Sequence, residues 1–276
     1  MTALTQPADQ ASPSLATGQR VTQARVIRSE WTKLRSVPST AWSLLAAVAL
    51  IVGVGALYSL VRVTRPPHSA AEMASFDPTA ISLAGAQLAQ VAVGVLGVLL
   101  ITGEYATGTI RTSMVAVPRR LPVLWGKVVV FVLTAPVLFV PATFATFLVS
   151  QSVLSREQLG TSLHEPGVAR AVLGSALYLT AVGLLGLGLG ALLRNTAGAI
   201  ASLFGLLFGL QILVGFLPAT VSDTIARYLP TPAGAAVTNV RPDPASLVPW
   251  AGFGLFCLYT AITLGLAAWL LRRRDV

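Results

Sequence analysis

Six long runs without a single charged residue alternate with short polar segments along this chain, at about 40–61, 81–101, 128–150, 171–193, 197–217 and 250–271. Each run is close to the ~20 residues that carry a helix through a ~30 Å hydrocarbon core at ~1.5 Å per residue. None shows the alternation of a half-buried strand, and each is about twice as long as a barrel strand needs to be. The pattern predicts an all-α membrane protein with six transmembrane helices.

Ahead of the first run, Ile27, Trp31 and Leu34 recur with Ala24 at helical spacing, with Arg25, Arg28, Lys33 and Arg35 flanking or opposite them. This predicts an interfacial helix over 20–39, its aromatic ring dipping into the headgroup region and its cations near phosphate. Residues 1–19 are rich in Thr, Gln, Pro, Ser and Ala and read as a disordered tail. With no basic residue before Arg20 and no early apolar core, the start does not read as a signal peptide.

Between the second and third runs lies the densest polar chemistry of the apolar region, GEYATGTIRTSM over 103–114. As a helix it would put Ala106, Ile110, Met114 and Val117 on one stripe, and Glu104, Thr107, Gly108 and Arg111 on another. Glu104 would then occupy the first turn, where a carboxylate suits the helix dipole. A solvated connecting loop is the alternative.

Composition agrees with the pattern. Apolar residues make up 54% of the 276 and charged residues 11%, less than half the ~25% of a soluble domain. Charge then sets orientation. An even number of spans puts both termini on one side, together with thirteen of the nineteen cations and only Asp9, Glu30, Glu104 and Asp275 in opposition. The other side balances six cations with six acids, so the whole net charge of +9 falls on the terminal side, which the positive-inside rule assigns to the cytoplasm. This predicts a multi-pass protein of the inner (cytoplasmic) membrane with both termini cytoplasmic. The basic balance points to orientation and anionic lipid rather than nucleic acid.

Several chemistries are disfavoured. No Asp, Glu, Lys, Arg or His falls inside the six runs, which argues against ion-coupled transport. Gln87, Gln90 and Gln211 read as bonding to neighbouring helices. His68 and His164 are isolated, the single Cys257 forms neither disulfide nor thiolate cluster, and no GxxxxGK[ST] loop is present. No catalytic residue, metal ligand or cofactor site is expected in this chain. Gly186 and Gly190, and Gly205 and Gly209, are small residues four apart, a spacing that lets helices approach closely. The proline-rich segment 218–249 reads either as a plain loop or as short helices folding back toward the membrane.

Three segments resemble the permease subunits of ATP-binding-cassette type-2 exporters, in their compact six-helix form: SEWTKLRSVPSTAWS at 29–43, GEYATGTIRTSM at 103–114 and LLRNTAGAI at 192–200. The resemblance implies a permease domain over 40–276 with a connecting helix before the first span and a cytoplasmic coupling helix between helices 2 and 3. It implies that Glu104, Tyr105, Thr107, Gly108, Thr109, Ile110 and Arg111 contact a separate P-loop ATPase subunit, which holds ATP and Mg. The expected assembly pairs two permease chains, identical or homologous, to form the pathway. The competing readings are a non-transporting membrane anchor or sensor-linked module and, third, an ion-coupled carrier.

Overall fold

A computed structural model describes residues 22–108, 121–241 and 244–273. The expected tail over 1–19, the body of the segment following Gly108, and Thr109, Ile110 and Arg111 lie outside the described residues. The described residues contain helices and no strands.

The first helix, α1 (Gln23–Ser36), is followed directly by α2 (Pro38–Thr64). Val37 is extended at the corner because the residue before a proline avoids the helical region, and Pro38 opens α2, where its missing N–H costs nothing. Two short helices follow, α3 (Ala70–Ser75) and α4 (Pro78–Ser82). Asp77 caps α4 by accepting from the N–H groups of Thr79 and Ala80 at 2.9 and 3.0 Å. Then come α5 (Ala84–Ala106), α6 (Leu121–Leu154), α7 (Val168–Leu193) and a composite helix, α8 (Thr196–Phe204), a π-turn (Gly205–Gly209) and α9 (Leu210–Gly215). The chain closes with α10 (Ala219–Ala226), α11 (Pro230–Ala235) and α12 (Pro249–Arg273). Six helices are long and apolar enough to cross a membrane: α2, α5, α6, α7, the α8–α9 composite and α12. The protein is an all-helical, multi-pass membrane protein.

The helices overrun the apolar runs from which they were inferred. α5 continues to Ala106 and so contains Glu104, and α6 begins at Leu121 and so contains Lys127. The apolar runs themselves hold no Asp, Glu, Lys, Arg or His, and these two charges enter where the helices extend past them. Adding residues to an existing helix costs little once it is nucleated, so helices run past the limit of the apolar sequence.

α7 sits at the centre, buried against α5, α6 and α12. α5 and α7 meet backbone to backbone: a Cβ on Gly97 would land on the Gly183 carbonyl, and one on Gly186 on the Gly94 carbonyl. Gly190 also faces α5, with Val98 O 2.9 Å from where a Cβ would stand. The Gly186/Gly190 spacing is thus used for close packing. The Gly205/Gly209 spacing is not, since a Cβ on Gly205 would meet nothing within 4 Å. Arg194, left-handed at φ 55°, ends α7, and the Asn195 side chain accepts from Gly198 N at 2.8 Å to start α8. This forms the tight turn expected at Arg194-Asn195-Thr196.

The 218–249 segment does form short helices. Pro230, Thr231, Ala233 and Gly234 of α11 are buried, with Gly234 against the ring of Tyr178, ten residues or ~15 Å along α7. Backbone at that depth has to be satisfied by protein. Accordingly Tyr259 donates to Tyr228 O at 2.8 Å, and the Thr231 hydroxyl donates to Leu207 O in the π-turn at 2.6 Å. Deeper still, Tyr178 donates to Gln90 Oε1 at 2.6 Å and Gln90 Nε2 to Gln87 Oε1 at 3.2 Å, bonding α7 to α5. Gln211 instead bonds within its own helix, to Leu207 O.

Gly97→Val is expected to lower the stability of the detergent-solubilised protein by about 1–3 kcal/mol, because the added atoms strike backbone that cannot retreat. Gly205→Val should melt within a degree or two of the wild type. Thermal unfolding of the two variants side by side checks the contrast.

Candidate functional site

Four charged side chains, Glu30, Lys33, Glu104 and Lys127, meet at one end of the bundle, where α1, the last turn of α5 and the first turns of α6 converge. α1 turns Val26 and Glu30 into the bundle. A Cβ on Gly126 would come within 3.0 Å of the Val26 side chain, so α6 lies close against α1 at this point. Lys127, the next residue, thereby reaches Glu30.

Four side chains form a closed ring. Lys127 Nζ lies 2.7 Å from Glu30 and 2.7 Å from Glu104, while Lys33 Nζ lies 2.7 Å from Glu30 and 2.9 Å from Glu104. Each carboxylate accepts from both ammonium groups. Glu30 is 4% exposed, Lys127 7%, Glu104 14% and Lys33 39%, so solvent reaches the ring from the Lys33 side. Charges this deep are retained only when opposite charges and hydrogen bonds replace the lost water. Burial alone would depress the Lys33 ammonium, but its hydrogen bonds to Glu30 and Glu104, reinforced by their charges, raise it above the ordinary lysine value.

The arrangement corrects the expected place of Glu104. It lies in the last turn of α5 rather than the first turn of a new helix, at the negative end of the dipole, where a lone carboxylate is disfavoured. Lys33 and Lys127 offset that penalty. After Ala106 the helix stops: Thr107 donates through its hydroxyl to Gly103 O at 2.9 Å, and Gly108 turns the chain out at φ 72°. Thr107 and Gly108 are exposed, and Tyr105 is partly buried with the Arg194 guanidinium 5.6 Å from its ring centroid. Ile27 and Leu34 are partly buried and Trp31 is 42% exposed, with Arg35 5.7 Å from its ring. A cavity of about 510 Å³ abuts the ring, walled by Leu34, Thr40, Leu99, Leu100 and Gly103 among others.

Lys127 and Glu30 were missed as site residues, having been read only as contributions to the charge balance. One signal was present: Glu30 is the single acid on an otherwise cationic helix, three residues before Lys33, a spacing that lets the two side chains meet. Nothing local linked either of them to Lys127, 97 positions beyond Glu30.

Comparison of the chain with known protein families and with curated proteins finds no match. The resemblance to exporter permeases therefore rests on its three sequence segments. The structure brings described parts of all three to this one end: Glu30 and Lys33 from the first, Glu104 and Tyr105 from the second, Arg194 from the third.

Lys127→Gln is expected to destabilise the protein by about 3–5 kcal/mol, because it leaves two carboxylates sharing one lysine in a buried place. Adding Glu30→Gln restores a balanced Lys33–Glu104 pair, so the double variant should be more stable than the single one. A double-mutant cycle by denaturation in detergent reads the coupling. The pH dependence has a definite sign. A lysine raised by folding contributes fully below its unfolded value and loses that contribution as pH rises through its folded value. Protection of α1 from trypsin should therefore hold through neutral pH and fall only above the ordinary lysine value of 10.5.

Proposed function

We propose that this chain is the membrane-spanning permease subunit of an ATP-binding-cassette exporter, acting as one of two permease chains and driven by a separate P-loop ATPase. The observation that carries the reading is the ionic ring, which joins the segment before the first span to the segment after the second, two of the three that carry the resemblance.

The geometry gives this reading a mechanism. The helix that carries Glu104 ends at Ala106, and the helix that carries Lys127 begins at Leu121, so the 109–120 segment connects two helix ends that meet at the ring. Both of its roots are thus held in one ring, and the same ring holds α1. An ATPase that displaces this segment on binding nucleotide pulls on α5 and α6 at their ends and carries α1 with them. Displacement of a small element is then converted into rigid-body movement of helices, the usual route by which a local event shifts a two-state equilibrium. The middles of the spans hold no Asp, Glu, Lys, Arg or His, which agrees with energy that enters at the end of the bundle rather than from ion binding within it.

On this reading the docking segment is Glu104, Tyr105, Thr107, Gly108, Thr109, Ile110 and Arg111, in the cytoplasm. Within it the roles divide. Thr107 and Gly108 are exposed and lead into Thr109, Ile110 and Arg111, which meet the partner. Glu104 faces inward and transmits.

Purification of the tagged chain in mild detergent from its native host tests the proposal. A P-loop ATPase should co-purify, and its substrate-stimulated hydrolysis should fall by about an order of magnitude in Glu104→Gln with recovery of the partner unchanged. Gly108→Val, forced into a conformation that a β-branched residue resists, should reduce recovery of the partner itself. Purification of the chain alone, from cells that express the neighbouring genes, would overturn the assignment in favour of a membrane anchor.

A further inference from the structure

The ionic ring leaves α1 electrically one-sided. Of its charged residues Arg25, Arg28, Glu30, Lys33 and Arg35, the ring draws in Lys33 and Glu30, the only acid. Arg28 and Arg35 stand two turns apart on the stripe that holds Trp31, and both are exposed. Beneath this stripe runs a groove of about 660 Å³ between α1, α2 and α6. Its walls are Ile27 and Leu34 of α1, Leu44 of α2, and Val130, Leu133 and Val137 of α6, and Arg35 stands at its edge. Leu133 and Val137 are 63% and 71% exposed, and both belong to a spanning helix, so this side of the groove faces hydrocarbon.

We infer that the groove is a binding site for one anionic phospholipid, with an acyl chain along Leu133 and Val137 and the phosphate held by Arg35 and Arg28. Three features select this occupant. The volume would be filled by less than about two turns of a helix, too little to seat a partner helix but suited to a narrow chain. The edge offers the Arg35 guanidinium, with Arg28 two turns back on the same stripe; a guanidinium grips phosphate through several donors, and here it stands beside an indole of the kind that settles at headgroup depth. No carboxylate of α1 is left on this side to receive the ammonium of a zwitterionic headgroup, so charge complementarity favours a lipid with net negative charge. The site does not depend on the transport reading: it follows from where the ring places α1.

The test uses the full chain, purified in mild detergent and stripped of lipid, then titrated with dioleoyl phosphatidylglycerol or dioleoyl phosphatidylcholine while intact complexes are counted by mass spectrometry. One phosphatidylglycerol should bind about tenfold more tightly than phosphatidylcholine. The preference should vanish in an Arg28→Gln/Arg35→Gln variant. It should be blocked in Val137→Trp, which fills the groove without changing charge and, at an exposed position, leaves the fold intact. Arg62→Gln/Arg65→Gln, at the opposite end of α2, should bind as the wild type does. Glycerol phosphate, which has the anion and no tail, should fail to compete at the same concentration. Equal binding of the two lipids, or a preference that survives the Arg28/Arg35 and Val137 variants, would overturn the site. So would loss of the preference in the Arg62/Arg65 variant alone, or displacement by glycerol phosphate.

Discussion

A charge inside hydrocarbon must be neutralised at contact distance or moved to the end of its helix, and both responses are visible in this chain. The middles of the six spans carry no Asp, Glu, Lys, Arg or His, and the bundle is held there by close backbone packing and by the short Tyr178–Gln90–Gln87 chain. Where α5 and α6 overrun the apolar sequence, their charges are largely buried, and Glu104 and Lys127 pair with each other and with the α1 pair. The position of α1 against α6 and the cationic outer face of α1 go with that ring.

The ring divides the labour between two kinds of interaction. Glycine-mediated contact between α5 and α7 sets the distance of closest approach and so the frame, since packing of this type tolerates no added atom. The ring adds direction. A closed set of four charges has few alternative pairings of equal energy, whereas an apolar face can slide against another apolar face at little cost. A segment fastened by charge at both roots is suited to passing on a displacement, which is the property that the proposed coupling to an ATPase requires.

Irregular backbone away from the ring is handled by the same rule of satisfaction. The π-turn at Gly205–Gly209 leaves the Leu207 carbonyl available, and both Thr231 of α11 and Gln211 donate to it. α11 in turn is shielded by Tyr178 and Phe256, with a Cβ on Gly234 standing 2.5 Å from the one and 2.9 Å from the other. α11 is thus covered by protein, whereas α9 and α10 bury no residue of their own.

The fold class, the six spans and the helical stretch before the first of them were legible in the sequence, because solvation by lipid is a property of each residue and sums along a run. The turn at Arg194-Asn195-Thr196 was legible for the same reason: its signal is local. Helix ends were less so. Glu104 was placed at the start of a helix and stands at the end of one, since continuation of α5 is decided by propagation and by the lysines that meet the carboxylate, not by the apolar count. Of the two small-residue pairs, spacing could not say which would pack; only the neighbour across the gap decides, and Gly186 has one where Gly205 has none. The ring itself was beyond the sequence. Glu30, Lys33, Glu104 and Lys127 are polar residues in three separate stretches, and the energy that makes them a site is pairwise and falls with distance, so it exists only once the fold has brought them together.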